Sequence, residues 1–242
     1  MSAPTDQDRS AARLAGARGA AALGRLWQGA GLLYLVTCLA GMAIGLWPHA
    51  TFPSTQDVPT APLPTLAALG VAQVAFILLI YPMVIWVRAD RGGISRYWPL
   101  ALAESALCTV AAVPFYLAAG FLADAGVADV VRTAVCVACV WPVAWAAGAW
   151  LVSARPRPGV VTLGLLGIAI GLPAACYIVA DFFGATEAAR RLSHFAPAMF
   201  VYQAAGGRSS SAVPEPLWGA ICWPVIAAVA ALALLVWPQT RR

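Results

Sequence analysis

Residues 63–87 read LPTLAALGVAQVAFILLIYPMVIWV, and RADRGGISR follows at once over residues 88–96. The first stretch exceeds the ~20 residues that cover ~30 Å of hydrocarbon at 1.5 Å per residue. It carries no charge, and arginines arrive only where it ends. A bilayer leaves backbone amides no water to bond, so a spanning segment is a helix or a strand of a closed barrel. Continuous apolarity over this length lacks the period-two alternation of a barrel strand. The stretch therefore reads as a transmembrane helix.

Five further stretches of the same character lie to either side: Gly29 to Trp47, Tyr97 to Leu122, Val130 to Val152, Val160 to Phe183 and Leu217 to Trp237. The expected fold class is all-α, an integral membrane bundle of six transmembrane helices over residues 29–237. A 62% hydrophobic, 10% charged composition leaves no room for a sizeable soluble domain. Residues 1–28 form an N-terminal tail in which Ala11 to Trp27, with Arg13, Arg18 and Arg25 among leucines, suits either a helix on the membrane surface or an extension of the first span. Residues 238–242 form a short C-terminal tail. The long polar region before Gly29 and the lack of a cleavage pattern favour an uncleaved first span over a signal peptide.

Positive charge is retained on the cytoplasmic side during insertion. Arg9, Arg13, Arg18 and Arg25 precede the first span; Arg88, Arg91 and Arg96 separate the second and third; Arg155 and Arg157 separate the fourth and fifth; Arg241 and Arg242 close the chain. The connections Pro48 to Pro62 and Asp124 to Asp129 have none. Both termini are thus expected in the cytoplasm of a multi-pass plasma-membrane protein. The external connection 184–216, with Arg190, Arg191 and Arg208, departs from the pattern, as longer translocated loops do.

All 15 basic residues are arginine. Without lysine there is no P-loop to hold ATP phosphates and no Schiff base for retinal or pyridoxal phosphate. No catalytic, metal or cofactor motif is legible, and the net charge of +5 is spread along span ends rather than over a nucleic-acid-binding surface. Cys38, Cys108, Cys136, Cys139, Cys176 and Cys222 all fall inside spans as small apolar residues, the C-x-x-C of Cys136 and Cys139 included.

Pro82, Pro114, Pro142, Pro173 and Pro224 place one helix-distorting residue in each of spans two to six. The pairs Gly41/Gly45 and Gly167/Gly171 have the small-x-x-x-small spacing of close helix contacts, within the bundle or between subunits. Tryptophans near span ends, among them Trp27, Trp47, Trp98 and Trp237, suit headgroup anchoring.

Glu104 lies roughly 10 Å into span three, counted from Tyr97 at 1.5 Å per residue. An ionisable group at that depth is a candidate for lining a conduit or for bonding a neighbouring helix. Asp181, Glu187, Arg190, Arg191 and His194 cluster outside span five, where ATEAARRL over residues 185–192 suggests a short external helix ended by Pro197. These five are candidates for an external gate or partner surface.

A basic N-terminal helix, six spans, a charged connection between spans two and three, and the segment from Asp181 to Pro216 with its Phe195-Ala-Pro197 approach to the last span together resemble the permease subunit of type 2 ABC transporters. The resemblance covers nearly the whole chain and rests on layout. It implies a conduit subunit, not itself an enzyme, that pairs with a second permease copy or related permease and relies on a cytoplasmic ABC ATPase for energy. In that family the second-to-third connection docks the ATPase, which points here to Arg88, Asp90, Arg91 and Arg96. The acidic residue frequent just before the glycine is absent, Asp90 and Arg91 standing there instead.

A non-transporting integral subunit or assembly factor is the other class of reading. His49 and His194, the only histidines, both fall on the external side. This is similar to haem-handling cytochrome c maturation proteins, in which such imidazoles ligate iron. Those proteins carry a tryptophan-rich segment between spans three and four, where this chain has only ADAGVAD.

Overall fold

The computed structural model describes residues 29–46, 64–92, 94–154, 158–184 and 196–206. The described residues are helical between short turns, and five of their helical segments are long and apolar enough to cross a membrane: Gly29–Leu46, Thr65–Arg88, Leu100–Leu122, Val127–Val152 and Gly159–Cys176. The sixth expected span, both tails, the connection 47–63 and residues 185–195 lie outside the described residues.

α1 (Gly29–Leu46) buries Tyr34, Cys38, Gly41 and Gly45, a stripe at i, i+4, i+7 and i+11, and turns Leu32, Val36, Leu39 and Ile44 outward. Outward apolar faces of this kind recur on α4 (Ile94–Leu122), with Val110, Leu117 and Phe121, and on α7 (Pro158–Leu166), with Val160 and Leu163. Faces of this kind suit lipid as a solvent. Span two and span four are the most enclosed, and the others surround them.

The prolines mark where spans depart from α geometry. Span two runs as α2 (Pro64–Ala75), a π turn (Phe76–Ile80) and α3 (Tyr81–Gly92), with the Tyr81 N–H bonded to the Phe76 carbonyl and Pro82 next in sequence. Span five repeats the device: α7, a π turn (Gly167–Gly171), then α8 (Leu172–Asp181), with the Leu172 N–H on the Gly167 carbonyl and Pro173 next. A proline ring crowds the carbonyl four residues back and has no N–H for it; a widened turn just before the ring relieves both problems. Span four breaks outright into α5 (Val127–Ala138) and α6 (Trp141–Ala154), with Pro142 in the first turn of α6, where a missing N–H costs little. α4, in contrast, carries Pro114, and Pro99 near its start, through an unbroken helix.

α4 closes on Asp124, whose φ of 49° is left-handed, and the Ala125 N–H reaches back to the Gly120 carbonyl at 2.9 Å. This six-to-one bond caps α4 and returns the chain directly into α5. Close contacts fix the packing elsewhere. A Cβ on Gly41 would sit 2.9 Å from the Ala72 Cβ and 3.0 Å from the Leu69 Cα, so α1 lies almost backbone to backbone on α2. The Gly41/Gly45 pair thus works within the bundle, whereas a Cβ on Gly164, Gly167 or Gly171 would meet nothing within 4 Å.

The last described element is α9 (Pro197–Gly206), whose Pro197 suits a first helical position; the short helix expected over residues 185–192 lies outside the described residues. α9 packs on α2, on α5 and on the π turn of span five, with Val201, Ala204 and Ala205 fully buried. Part of the connection expected to be wholly external is therefore wedged among the spans.

Candidate functional site

Most of residues 88–96, expected as the connection between spans two and three, is helical. Helix α3 continues through Gly92 and α4 begins at Ile94. Because the helix outruns the apolar stretch by more than a turn, Arg88 remains inside the bundle and only 3% exposed. Tyr81, Ile85 and Arg88, at i, i+4 and i+7, share one buried face of α3.

That face meets Glu104 on α4, itself 3% exposed. Arg88 Nη1 donates to Glu104 Oε1, and the Tyr81 hydroxyl donates to Glu104 Oε2 at 3.0 Å while lying 3.3 Å from the Ala101 carbonyl oxygen. The pairing is through a single guanidinium nitrogen, and Nε and Nη2 of Arg88 find no hydrogen-bond partner. An arginine grips a carboxylate best through two parallel N–H bonds, and a buried unmade donor costs about 1–3 kcal/mol. The pair neutralises both charges yet leaves the arginine incompletely satisfied.

Glu104 also forms part of the wall of a cavity of about 520 Å³ between α1, the span-two π turn, the start of α3, and α4. Among the described residues the rest of the wall is apolar or aromatic, including Leu32, Tyr34, Phe76, Leu107 and Ala111, and Glu104 is the one charged residue. Exposed Leu32 and Leu107 on its rim open it sideways between α1 and α4. Its floor is an aromatic cluster: Phe76 meets Tyr34 edge-on at 5.1 Å, and Trp141 of α6 lies 4.8 Å from Tyr81 and 6.3 Å from Tyr34.

A second polar cluster joins α1, α2 and α4. The Tyr116 hydroxyl donates to Gln73 Oε1 at 2.5 Å, and Gln73 Nε2 lies 3.2 Å from Cys38 Sγ. Gln73 is fully buried, so its amide is matched by groups from two other spans rather than by water.

The structure thus unites two residues that the sequence assigned to different tasks, Arg88 to docking and Glu104 to a conduit or helix contact. Arg88, turned inward onto a carboxylate, presents no charge to a cytoplasmic partner. Asp90 and Arg91 lie on the last turn of α3 and Arg96 on the first turn of α4. Asp181 is the last residue of α8. Glu187, Arg190, Arg191, His194 and His49 lie outside the described residues. Among the described residues no three histidine, cysteine or acidic side chains gather as a metal site, and Cys136 with Cys139 has no further ligand beside it.

Gln73, Tyr81 and Tyr116 were not singled out in sequence. Gln73 was the one with a legible signal, an amide inside an uncharged apolar run. No family model, curated protein or solved structure matches the chain.

Proposed function

We propose that this chain is a membrane-embedded transport subunit of the export-permease type, whose conduit is completed by a second copy or a related subunit and driven by a separate cytoplasmic ABC ATPase. The observation that supports it is the carboxylate of Glu104 in the wall of a laterally open apolar cavity, held by an arginine near the end of the helix that carries Asp90 and Arg91. A buried ionisable group in a span is expensive to keep and marks a working site more often than not. In this reading Arg91 and Arg96, with Asp90, form the docking surface, and Arg88 carries the state of the cavity to it. Both termini face the cytoplasm of a plasma membrane.

Affinity purification from the native membrane tests the reading. Co-eluting ATPase activity is expected, and the Arg91→Ala/Arg96→Ala double variant should lose it while keeping its yield. No ATPase with the unaltered chain overturns the proposal. That result would favour the second reading, a non-transporting subunit or assembly factor, which draws support from the engagement of both polar clusters within the bundle. A haem absorption band would assign that role to His49 and His194.

A further inference from the structure

The geometry points to the cavity as a binding site for an amphiphilic amine: an elongated apolar body with one protonated nitrogen at its head, entering from the lipid between α1 and α4. This deepens the transport reading by naming its ligand class. The cavity volume of about 520 Å³ lies within the ~300–1,000 Å³ usual for small-ligand pockets. Its lining selects an apolar body, and its one charged wall residue among the described residues is a carboxylate.

The head group is decided by what Glu104 offers. A carboxylate in the wall of an apolar pocket repels carboxylate and phosphate heads and attracts a cation. Arg88 already occupies that role, but through Nη1 alone, with Nε and Nη2 unmatched. A ligand ammonium carries its donors on a compact head and can replace that single bond. Arg88, on a long side chain near the Arg91 and Arg96 end of the span, can then extend toward the polar boundary and satisfy its stranded donors. The exchange conserves charge: one cation leaves Glu104 as another arrives. Cavity occupancy is thereby written into the position of an arginine one turn from the proposed docking residues.

Equilibrium binding to the purified full chain in nanodiscs, set against empty nanodiscs, tests this with tritiated dodecylamine, dodecanol and dodecanoate. Dodecylamine should bind saturably, at least ten-fold tighter than either of the others. Glu104→Gln should weaken it ten-fold or more. Arg88→Gln, which removes the internal competitor, should tighten it several-fold, a gain that a purely structural role for the pair does not produce. Ala111→Phe fills the cavity, leaves the pair intact and should abolish binding.

Equal binding of the alcohol would make the cavity an acyl-chain groove and overturn the inference. Preference for dodecanoate would place the site on the free edge of Arg88 and overturn it as well. If Glu104→Gln cannot be obtained folded, retained amine binding in Ala111→Phe is the overturning result. Because no ATPase enters the experiment, its failure leaves the permease reading standing, and absence of an ATPase partner leaves this site standing.

Discussion

Replacing Glu104 by leucine removes the one acceptor that Arg88 has among the described residues and leaves Nη1 unmatched beside Nε and Nη2 in a buried guanidinium. Tyr81 is spared a second loss, because its hydroxyl still has the Ala101 carbonyl at 3.3 Å. Breaking a buried ion pair from one side costs about 3–5 kcal/mol. Here the lower end applies, about 3 kcal/mol, since two arginine donors are unmatched already and the long side chain can reach toward the polar boundary. Arg88→Met combined with Glu104→Leu removes both charges and should return to within about 1 kcal/mol of the parent, because apolar replacement of a buried pair is near neutral. The two single changes and the double one form a cycle whose coupling should exceed about 2 kcal/mol. Reversible unfolding from dodecyl maltoside micelles by SDS, followed through tryptophan fluorescence, measures it. A cost below about 1 kcal/mol for Glu104→Leu, or a double variant equal to the sum of its parts, would refute the account of the pair as a buried, mutually dependent contact.

Two contrasts address the packing. Gly41→Ala should destabilise by about 1–3 kcal/mol, since its methyl must displace the backbone of α2, whereas Gly164→Ala on the open face should be neutral in the same SDS titration. Gln73→Leu strands the Tyr116 hydroxyl, a loss of about 1–3 kcal/mol, and adding Tyr116→Phe should recover most of it.

What hydropathy could deliver was five long apolar helices of the six expected, because lipid as a solvent asks chiefly for length and apolarity, and Thr65–Arg88 sits within two residues of the run that announced it. The prolines likewise signalled three of the four distortions seen or sought in the described spans, with Pro114 the one absorbed silently. Arg88 was misread for a physical reason. An arginine at the end of an apolar run looks like a charge at the water boundary, and only the continuation of α3 through Gly92 shows that it is still inside. Partners across space, Gln73 with Tyr116 and Arg88 with Glu104, have no spacing rule to reveal them.

The π turn at Phe76–Ile80 has a clamp on each side, and both clamps belong to α4. Tyr116 holds Gln73 above the turn and Glu104 holds Arg88 below it, so one unbroken helix splints a broken one. Wide turns are the compliant places in a helix, and this one is kept at a set angle by side-chain contacts on both of its flanks. The amide contact is made within the bundle, and the guanidinium contact rests on one nitrogen beside a cavity. Loss of the guanidinium contact would still leave α3 held to α4 through the Tyr81 hydroxyl on the Ala101 carbonyl and packed along α6, so the broken span is braced from two helices rather than one.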